Sequence, residues 1–386
     1  MTAETRTPVR AIRGSLPVLS LAVVAFTFAT AGPRAALLML IGLGFGLVLE
    51  GLRFGFTGPW RHMVLERDGR GLLAQFVAIG LYALVAFPLL AAFPDELYGA
   101  HAPVGIAMVG GAFVFGAAMQ IVLGCGSGVL VNAGSGNLMA VLALLGFVTG
   151  SFFGTLHLEW WTSLGSLPVY TLQGSFGESA GLWLTFAGLA TLAVLVAQLS
   201  TPGRRLPSTR LWLAAALVAA LAILNLVVSG QSWGIVYGLG LWGAKMGQAA
   251  GMDVLATTFW SAPDHAERLQ QSLLTDVTSL TNIGIIIGAF VAMRWRRNTG
   301  PQVPPGSTPG RLGILLSGLI LGYSARIAFG CNVGAYFSGI ATGSFHGWAW
   351  FAAAFAGSAL ALHARPRLLQ WLSLSAASTP GEGARS

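Results

Sequence analysis

The chain has 386 residues, of which 55% are hydrophobic and only 9% carry a charge. Because a soluble domain carries about 25% charged residues, this composition excludes a soluble globular protein. The net charge of +8 does not indicate nucleic-acid binding, since Lys and Arg fall in the breaks between apolar runs. The sequence therefore predicts an all-α polytopic protein embedded in a lipid bilayer.

Apolar runs long enough to cross a bilayer core recur along the whole chain. The first run follows a basic start, as in a signal peptide, but the number of later runs favours an uncleaved first helix. The number of membrane crossings within residues 212–260 stays open. In chain order, the predicted helices cover about 15–31, 35–52, 71–93, 103–125, 138–153, 179–200, 212–230, 278–293, 312–331 and 346–363.

The charges in the breaks predict an orientation by the positive-inside rule. The basic breaks, predicted to be cytoplasmic with both termini, are 1–14, 53–70, 201–211, 294–311 and the tail from 365. The acid-leaning breaks, predicted to lie outside, are 94–103, 157–178 and 261–276.

One phrase occurs twice and holds the two cysteines of the chain: GAAMQIVLGC ends at Cys125 and GYSARIAFGC ends at Cys331. A Gly-rich stretch near 42–55 also returns near 238–251. Paired interrupted segments in corresponding positions point to a transporter site between repeats, and the flanking charges predict that the repeats are inverted. The predicted units are an amino-terminal tail and first helix (1–34), a first repeat (35–156), connecting helices (157–230), a second repeat (231–363) and a cytoplasmic tail (364–386).

Each Gly-Cys phrase runs into small and polar residues at membrane depth. Irregular backbone is tolerated there only when it is buried in protein or lines a wet cavity, and the start of a broken helix attracts anions. The alternative is a tight glycine-packed helix crossing that binds no solute. The candidate substrate-binding residues at the breaks are Gly124, Cys125, Gly126, Ser127, Gly330, Cys331 and Asn332.

Several roles are open to the two cysteines. They can be small buried fillers, but their matched positions in two repeats favour a function. A disulfide is poorly placed at this depth, and no further ligands lie at metal-binding spacing. The weak S–H donor suits a soft sulfur solute, held by brief contacts that allow release.

Two cations lie inside apolar runs, where charges are costly and usually functional. Lys245 follows Gly-Ala, and Arg326 stands five residues before Cys331, where the first copy has Gln120. Both are candidate solute-binding residues for an anion, with helix–helix pairing as the alternative. His346 begins the last predicted helix and is predicted to be structural.

These motifs resemble the sulphur-transport (YeeE/YedE) membrane family over roughly 35–363. The resemblance rests on RFGFTGPWR at 53–61, GCGSG at 124–128, WGAK at 242–245, GCNVG at 330–334 and SGIATG at 338–343.

The resemblance implies an hourglass-shaped protein of the bacterial inner membrane, with inverted repeats and short helices that dip in from both faces. It implies uptake of thiosulfate along cysteines on a central path, often beside a small cytosolic TusA-like sulfur carrier. Cys125 and Cys331 match two of these cysteines. Family members often have a third, in an RFCF-like stretch, where this chain has Gly55, so a relay of three thiols is not expected here.

The sequence therefore predicts a transporter for a small sulfur-containing anion, most simply thiosulfate, rather than an enzyme, and it predicts no cofactor and no metal. A nucleotide-binding GxxxxGK[ST] motif does not occur in the chain. The alternatives are a membrane sulfurtransfer or redox protein that uses the cysteine pair, a transporter of sulfite or a selenium compound, and a structural subunit of a larger complex.

Overall fold

A computed structural model describes residues 6–296 and 308–371, and the side chains of 14–296 and 310–364. Within these ranges the chain is helical and contains no strand longer than an isolated bridge. The predicted loop at 298–310 and the tail lie largely outside the described residues, although the last helix continues past its predicted end. The α-helices are α1 Arg6–Gly51, α2 Thr57–Glu66, α3 Arg70–Ala92, α4 Ile106–Val122, α5 Gly126–Gly134, α6 Leu138–Leu156, α7 Leu158–Ser163, α8 Leu172–Phe176, α9 Glu178–Leu199, α10 Thr209–Ser229, α11 Val236–Ala249, α12 Thr258–Ser261, α13 Pro263–Gln270, α14 Val277–Arg296, α15 Thr308–Ile327, α16 Gly339–Ala341 and α17 Phe345–Trp371.

Nine helical segments among the described residues are long and apolar enough to cross a membrane. They coincide with the runs predicted from the sequence, so the multi-pass fold class is confirmed. Helix α1 contains a backbone break at Gly32, whose φ of 85° is left-handed, and Pro33 follows it directly. This break separates the two helices predicted at 15–31 and 35–52, because a proline inside a helix removes a backbone hydrogen bond.

The two Gly-Cys phrases adopt the same local backbone. Leu123 directly follows α4 and Phe329 lies two residues after the end of α15, and both residues have a left-handed φ, of 59° and 58°. Left-handed backbone is unfavourable for a residue with a side chain. The following glycine N–H then reaches back into the helix, from Gly124 to the Met119 carbonyl and from Gly330 to the Ala325 carbonyl, at 3.2 and 2.9 Å.

Each cysteine then stands in extended backbone directly before a new short helix. Cys125 precedes α5, and Cys331 precedes a seven-residue π-helical segment, Asn332–Ser338. The prediction that both phrases interrupt their helices is confirmed. The inverted relation of the two halves stays a prediction.

Glycines set the helix crossings around these breaks. A Cβ atom on Gly150 of α6 would meet the Leu319 carbonyl of α15, and one on Gly322 of α15 would meet the Phe147 carbonyl of α6. Helices α4 and α17 cross in the same way, at Gly116 and Gly357. Close backbone approach of this kind is how membrane helices pack without a hydrophobic driving force between them. The two pairs hold the breaks after α4 and α15 in place.

Candidate functional site

The two Gly-Cys breaks meet in the protein interior. Cys125 and Cys331 are both fully buried. A Cβ atom on Gly126 would lie 3.0 Å from the Cys331 Sγ and 3.3 Å from a methyl group of Ile235. The residue after one cysteine therefore touches the other cysteine. The prediction that the two breaks face each other is confirmed, and the closeness favours a small residue at position 126.

The polar groups around the thiols are mainly backbone N–H groups. Those of Gly126, Val333 and Gly334 interact with the Cys331 sulfur, and the Cys125 Sγ lies 3.4 Å from the Ser127 hydroxyl. The Asn332 side chain is fully buried, and neither its nitrogen nor its oxygen has a hydrogen-bond partner. Buried polar groups are normally paired, so the unpaired Asn332 amide is an exception at this break.

A first cavity, the basic cavity, reaches the Cys125 break. It has a volume of about 610 Å³ and is lined by Gly124, Ser127 and Gly128 of that break. Its other walls come from the segments after α1 and before α10, which include Gly55. Both segments belong to breaks that the sequence predicts to be cytoplasmic. The charged lining residues are Glu50, Arg53, Arg61, Glu66, Asp68, Arg70 and Arg210.

A second cavity, the Arg326 cavity, reaches the Cys331 break. It has a volume of about 440 Å³ and is lined by Phe329, Gly330 and Gly334 of that break. Other walls come from residues 98–102 and from Leu158, in breaks predicted to lie outside. No described residue lines both cavities. The site thus consists of two separate cavities, one against each break.

Arg326 is the only Lys, Arg, Asp or Glu among the described residues that line the second cavity. Its guanidinium carbon lies over the rings of Tyr237 and Phe259, at 5.7 and 5.3 Å, and its Nη2 donates to the Val236 carbonyl at 3.3 Å. Within the described part of the chain, no carboxylate forms an ion pair with it. An uncompensated cation in a partly buried wall favours an anion in the adjoining cavity.

Lys245 is placed differently from Arg326. Its Nζ donates to the carbonyls of Leu269 and Gln271, both at 2.6 Å, at the end of α13. Lys245 lines neither cavity. The structure therefore does not bring it together with the cysteines, and its role in binding a solute stays a prediction.

Aromatic rings fill the space between the two cavities. Trp233 lines the Arg326 cavity and makes an edge contact with Phe337 at 5.8 Å. Phe337 contacts Phe56, a lining residue of the basic cavity, at 5.9 Å. All three side chains are fully buried. These rings were not predicted from the sequence. An aromatic residue in an apolar run looks the same whether it lines a transport path or packs in the hydrophobic core.

The comparison with known proteins decides the family. A sequence model of the family described as Sulphur transport matches residues 52–360. The chain belongs to this family. The resemblance drawn from the Gly-Cys motifs is thereby confirmed.

Two named thiosulfate transporters are similar to most of this chain, and a probable transporter is similar to about a third of it. The thiosulfate transporter TsuA of Spirochaeta thermophila is 26% identical over 331 residues, which are 80% of this chain and 92% of that protein. The thiosulfate transporter TsuA of Escherichia coli is 24% identical over 339 residues, 80% of this chain and 88% of that protein. A probable transporter, YedE of Escherichia coli, is 28% identical over 137 residues, 33% of each chain.

Proposed function

We propose that this chain transports a small sulfur-containing anion, most simply thiosulfate, across the bacterial inner membrane. The observation that carries the proposal is the contact between the two Gly-Cys breaks, each of which is reached by its own cavity. Membership in the sulphur transport family and the similarity to two thiosulfate transporters support this solute class. Transport through this site requires no enzymatic step.

The proposed path runs from the Arg326 cavity past the two thiols into the basic cavity. Arg326 attracts the anion, and backbone N–H groups at the breaks, with Asn332, bind its oxygens. The S–H groups of Cys331 and Cys125 donate weak hydrogen bonds to its terminal sulfur. Several weak sites in series allow the solute both to bind and to leave.

Two finer features belong to the proposal. The positive-inside rule puts the basic cavity on the cytoplasmic side, together with both termini, and the two halves then form inverted repeats around the thiols. The arginines of the basic cavity also offer a surface to a small cytosolic sulfur carrier of the TusA type, which would accept sulfur from the imported anion.

The test is uptake of radiolabelled thiosulfate by bacteria that depend on this chain for it. Cys125→Ala and Cys331→Ala should each reduce uptake about three- to tenfold, the effect of losing one hydrogen bond. The matched variants Cys125→Ser and Cys331→Ser keep a donor of similar size and should retain more uptake than the Ala variants. Wild-type uptake by both Ala variants would reject the thiol role.

The adjacency of the two thiols also keeps a second candidate open, a membrane sulfurtransfer or redox protein. A transporter moves unchanged thiosulfate into sealed vesicles and requires the two compartments. A sulfurtransfer protein transfers the terminal sulfur of thiosulfate to a cysteine thiolate, which becomes a persulfide, and releases sulfite even in detergent, where no compartments exist. Chemical analysis of the solute recovered from vesicles and from detergent solution separates the two.

A further inference from the structure

Three side chains in the wall of the Arg326 cavity carry N–H groups without a partner. The Trp233 Nε1, the His346 Nε2 and the Arg326 Nε are each buried, and no hydrogen-bond acceptor lies within reach of them among the described residues. A buried polar group left unpaired costs about 1–3 kcal/mol. Three such groups on one cavity are unusual, since most buried polar atoms in proteins are paired. All three groups belong to residues that line this one cavity.

Trp233 is held in one orientation by its neighbours. Its ring stacks on Phe45 with the centroids 3.8 Å apart and the planes 10° from parallel. Phe337 closes a second side, and the Trp233 carbonyl accepts a hydrogen bond from the Ser338 hydroxyl at 2.8 Å. The indole ring therefore cannot turn to find another acceptor without losing these contacts.

His346 is held by a hydrogen bond at its other ring nitrogen. The Nδ1 lies 2.8 Å from the Ser344 hydroxyl, and the side chain is 1% exposed. When Nδ1 accepts the hydroxyl proton, the ring proton is on Nε2, which is then a donor. In that tautomer the ring presents an N–H group at Nε2.

The chemistry of the wall selects the kind of ligand. Trp233, Arg326 and this tautomer of His346 offer donors only, and Arg326 adds a positive charge that no described carboxylate neutralises. None of the described lining residues is Asp or Glu. A ligand that satisfies three donors and one cation is an oxyanion with several acceptor oxygens.

We propose that Trp233 and His346, together with Arg326, form an oxyanion-binding station in the wall of the Arg326 cavity. The station rests on the proposed function and deepens it, because it assigns the recognition of the anion's oxygens to residues outside the Gly-Cys breaks. Phe329 and Gly330 line the same cavity and lead to Cys331. The oxygens of the anion bind at the station before its sulfur reaches the thiols.

The test is binding of radiolabelled thiosulfate to the purified full-length chain in lipid nanodiscs. Trp233→Phe keeps the stacking ring and removes the N–H group, and it should weaken binding about ten- to a hundredfold, as expected for a hydrogen bond to a charged group. The matched control is Trp350→Phe. Trp350 is also fully buried with an unpartnered Nε1, but it lines neither cavity, so binding should stay at the wild-type level.

A second pair of variants tests His346 independently. His346→Gln places an amide N–H near the position of Nε2, whereas His346→Asn reaches only the position of Nδ1. Binding should be weaker by about tenfold in the Asn variant than in the Gln variant. This pair decides the outcome if Trp233→Phe is not monodisperse.

The possible failures are distinguishable. If the wild-type chain binds thiosulfate and both Trp233→Phe and His346→Asn bind it equally well, the station is wrong and the transport proposal stands. If Trp350→Phe weakens binding as much as Trp233→Phe, the effect is not specific to the cavity and the station is also wrong. A wild-type chain that neither binds nor transports thiosulfate would overturn both proposals.

Discussion

The proposed preference of one cavity for an anion depends on a single residue, Arg326. Its guanidinium is supported by two aromatic rings and one carbonyl, but none of the described carboxylates pairs with it. Cation–π contacts contribute about 0.5–2 kcal/mol, which offsets only part of the cost of burying a charge. The remainder is available to a bound anion.

Replacement of Arg326 by Gln should raise the KM for thiosulfate uptake about ten- to a hundredfold, because a charged hydrogen-bond donor is lost. Gln is the conservative choice, since Gln120 stands at the corresponding position of the first phrase. Arg326→Lys keeps the positive charge but loses the planar set of guanidinium donors. Its KM for thiosulfate uptake should therefore lie between those of Arg326→Gln and the wild type. Concentration-dependent uptake measures the effect, and an unchanged KM in Arg326→Gln would exclude an anion-binding role.

At the scale of secondary-structure elements, the breaks after α4 and α15 depend on helix crossings that glycines make possible. The α6–α15 crossing brings the Gly150 backbone against the Leu319 carbonyl, with no room for a Cβ atom. Such a crossing positions Cys331 indirectly, because α15 leads straight into the second break. The helices are thus packed closely at the places that fix the thiols.

Gly150→Ala should therefore destabilise the chain by about 1–3 kcal/mol, the usual cost of overpacking. Gly110→Ala is the matched control, since Gly110 is an exposed residue of α4 with no atom within 4 Å of a Cβ placed there. It should leave the unfolding temperature nearly unchanged. Thermal unfolding in detergent measures both variants, and equal temperatures for the two would contradict the packing argument.

At the scale of the whole molecule, the two cavities are lined by different sets of connecting segments. Residues of the basic breaks line one cavity, and residues of the acid-leaning breaks line the other. This division agrees with the predicted orientation, in which the two cavities open on opposite sides of the membrane. A cysteine introduced into each cavity tests it directly.

Gly55→Cys should react with a membrane-impermeant thiol reagent only from the cytoplasmic side, and Ser232→Cys only from the outside. Position 55 accepts a side chain without strain, because no atom lies within 4 Å of a Cβ placed there. The wild-type chain is the control and should be labelled little, since both native cysteines are fully buried. Intact spheroplasts and inverted vesicles are compared, and labelling of both variants from one side would refute the orientation.

The amino-acid sequence by itself determined the membrane class, the helix positions and the two interrupted phrases. These features are local: a run of apolar residues fixes a span, and the Gly-Cys breaks show in the residue order. The sequence also marked Cys125, Cys331 and Arg326 as candidate site residues, because charges and paired thiols stand out in apolar surroundings.

Only the tertiary structure decided which of the two intramembrane cations lines a cavity. Lys245 and Arg326 look alike in sequence, but Lys245 donates to the carbonyls at the end of α13, while Arg326 has no described carboxylate beside it. The structure likewise brings Trp233 and His346 to one cavity, although they lie far apart in the chain. An unpaired donor can be recognised only when every possible acceptor around it is known, and those acceptors come from distant segments.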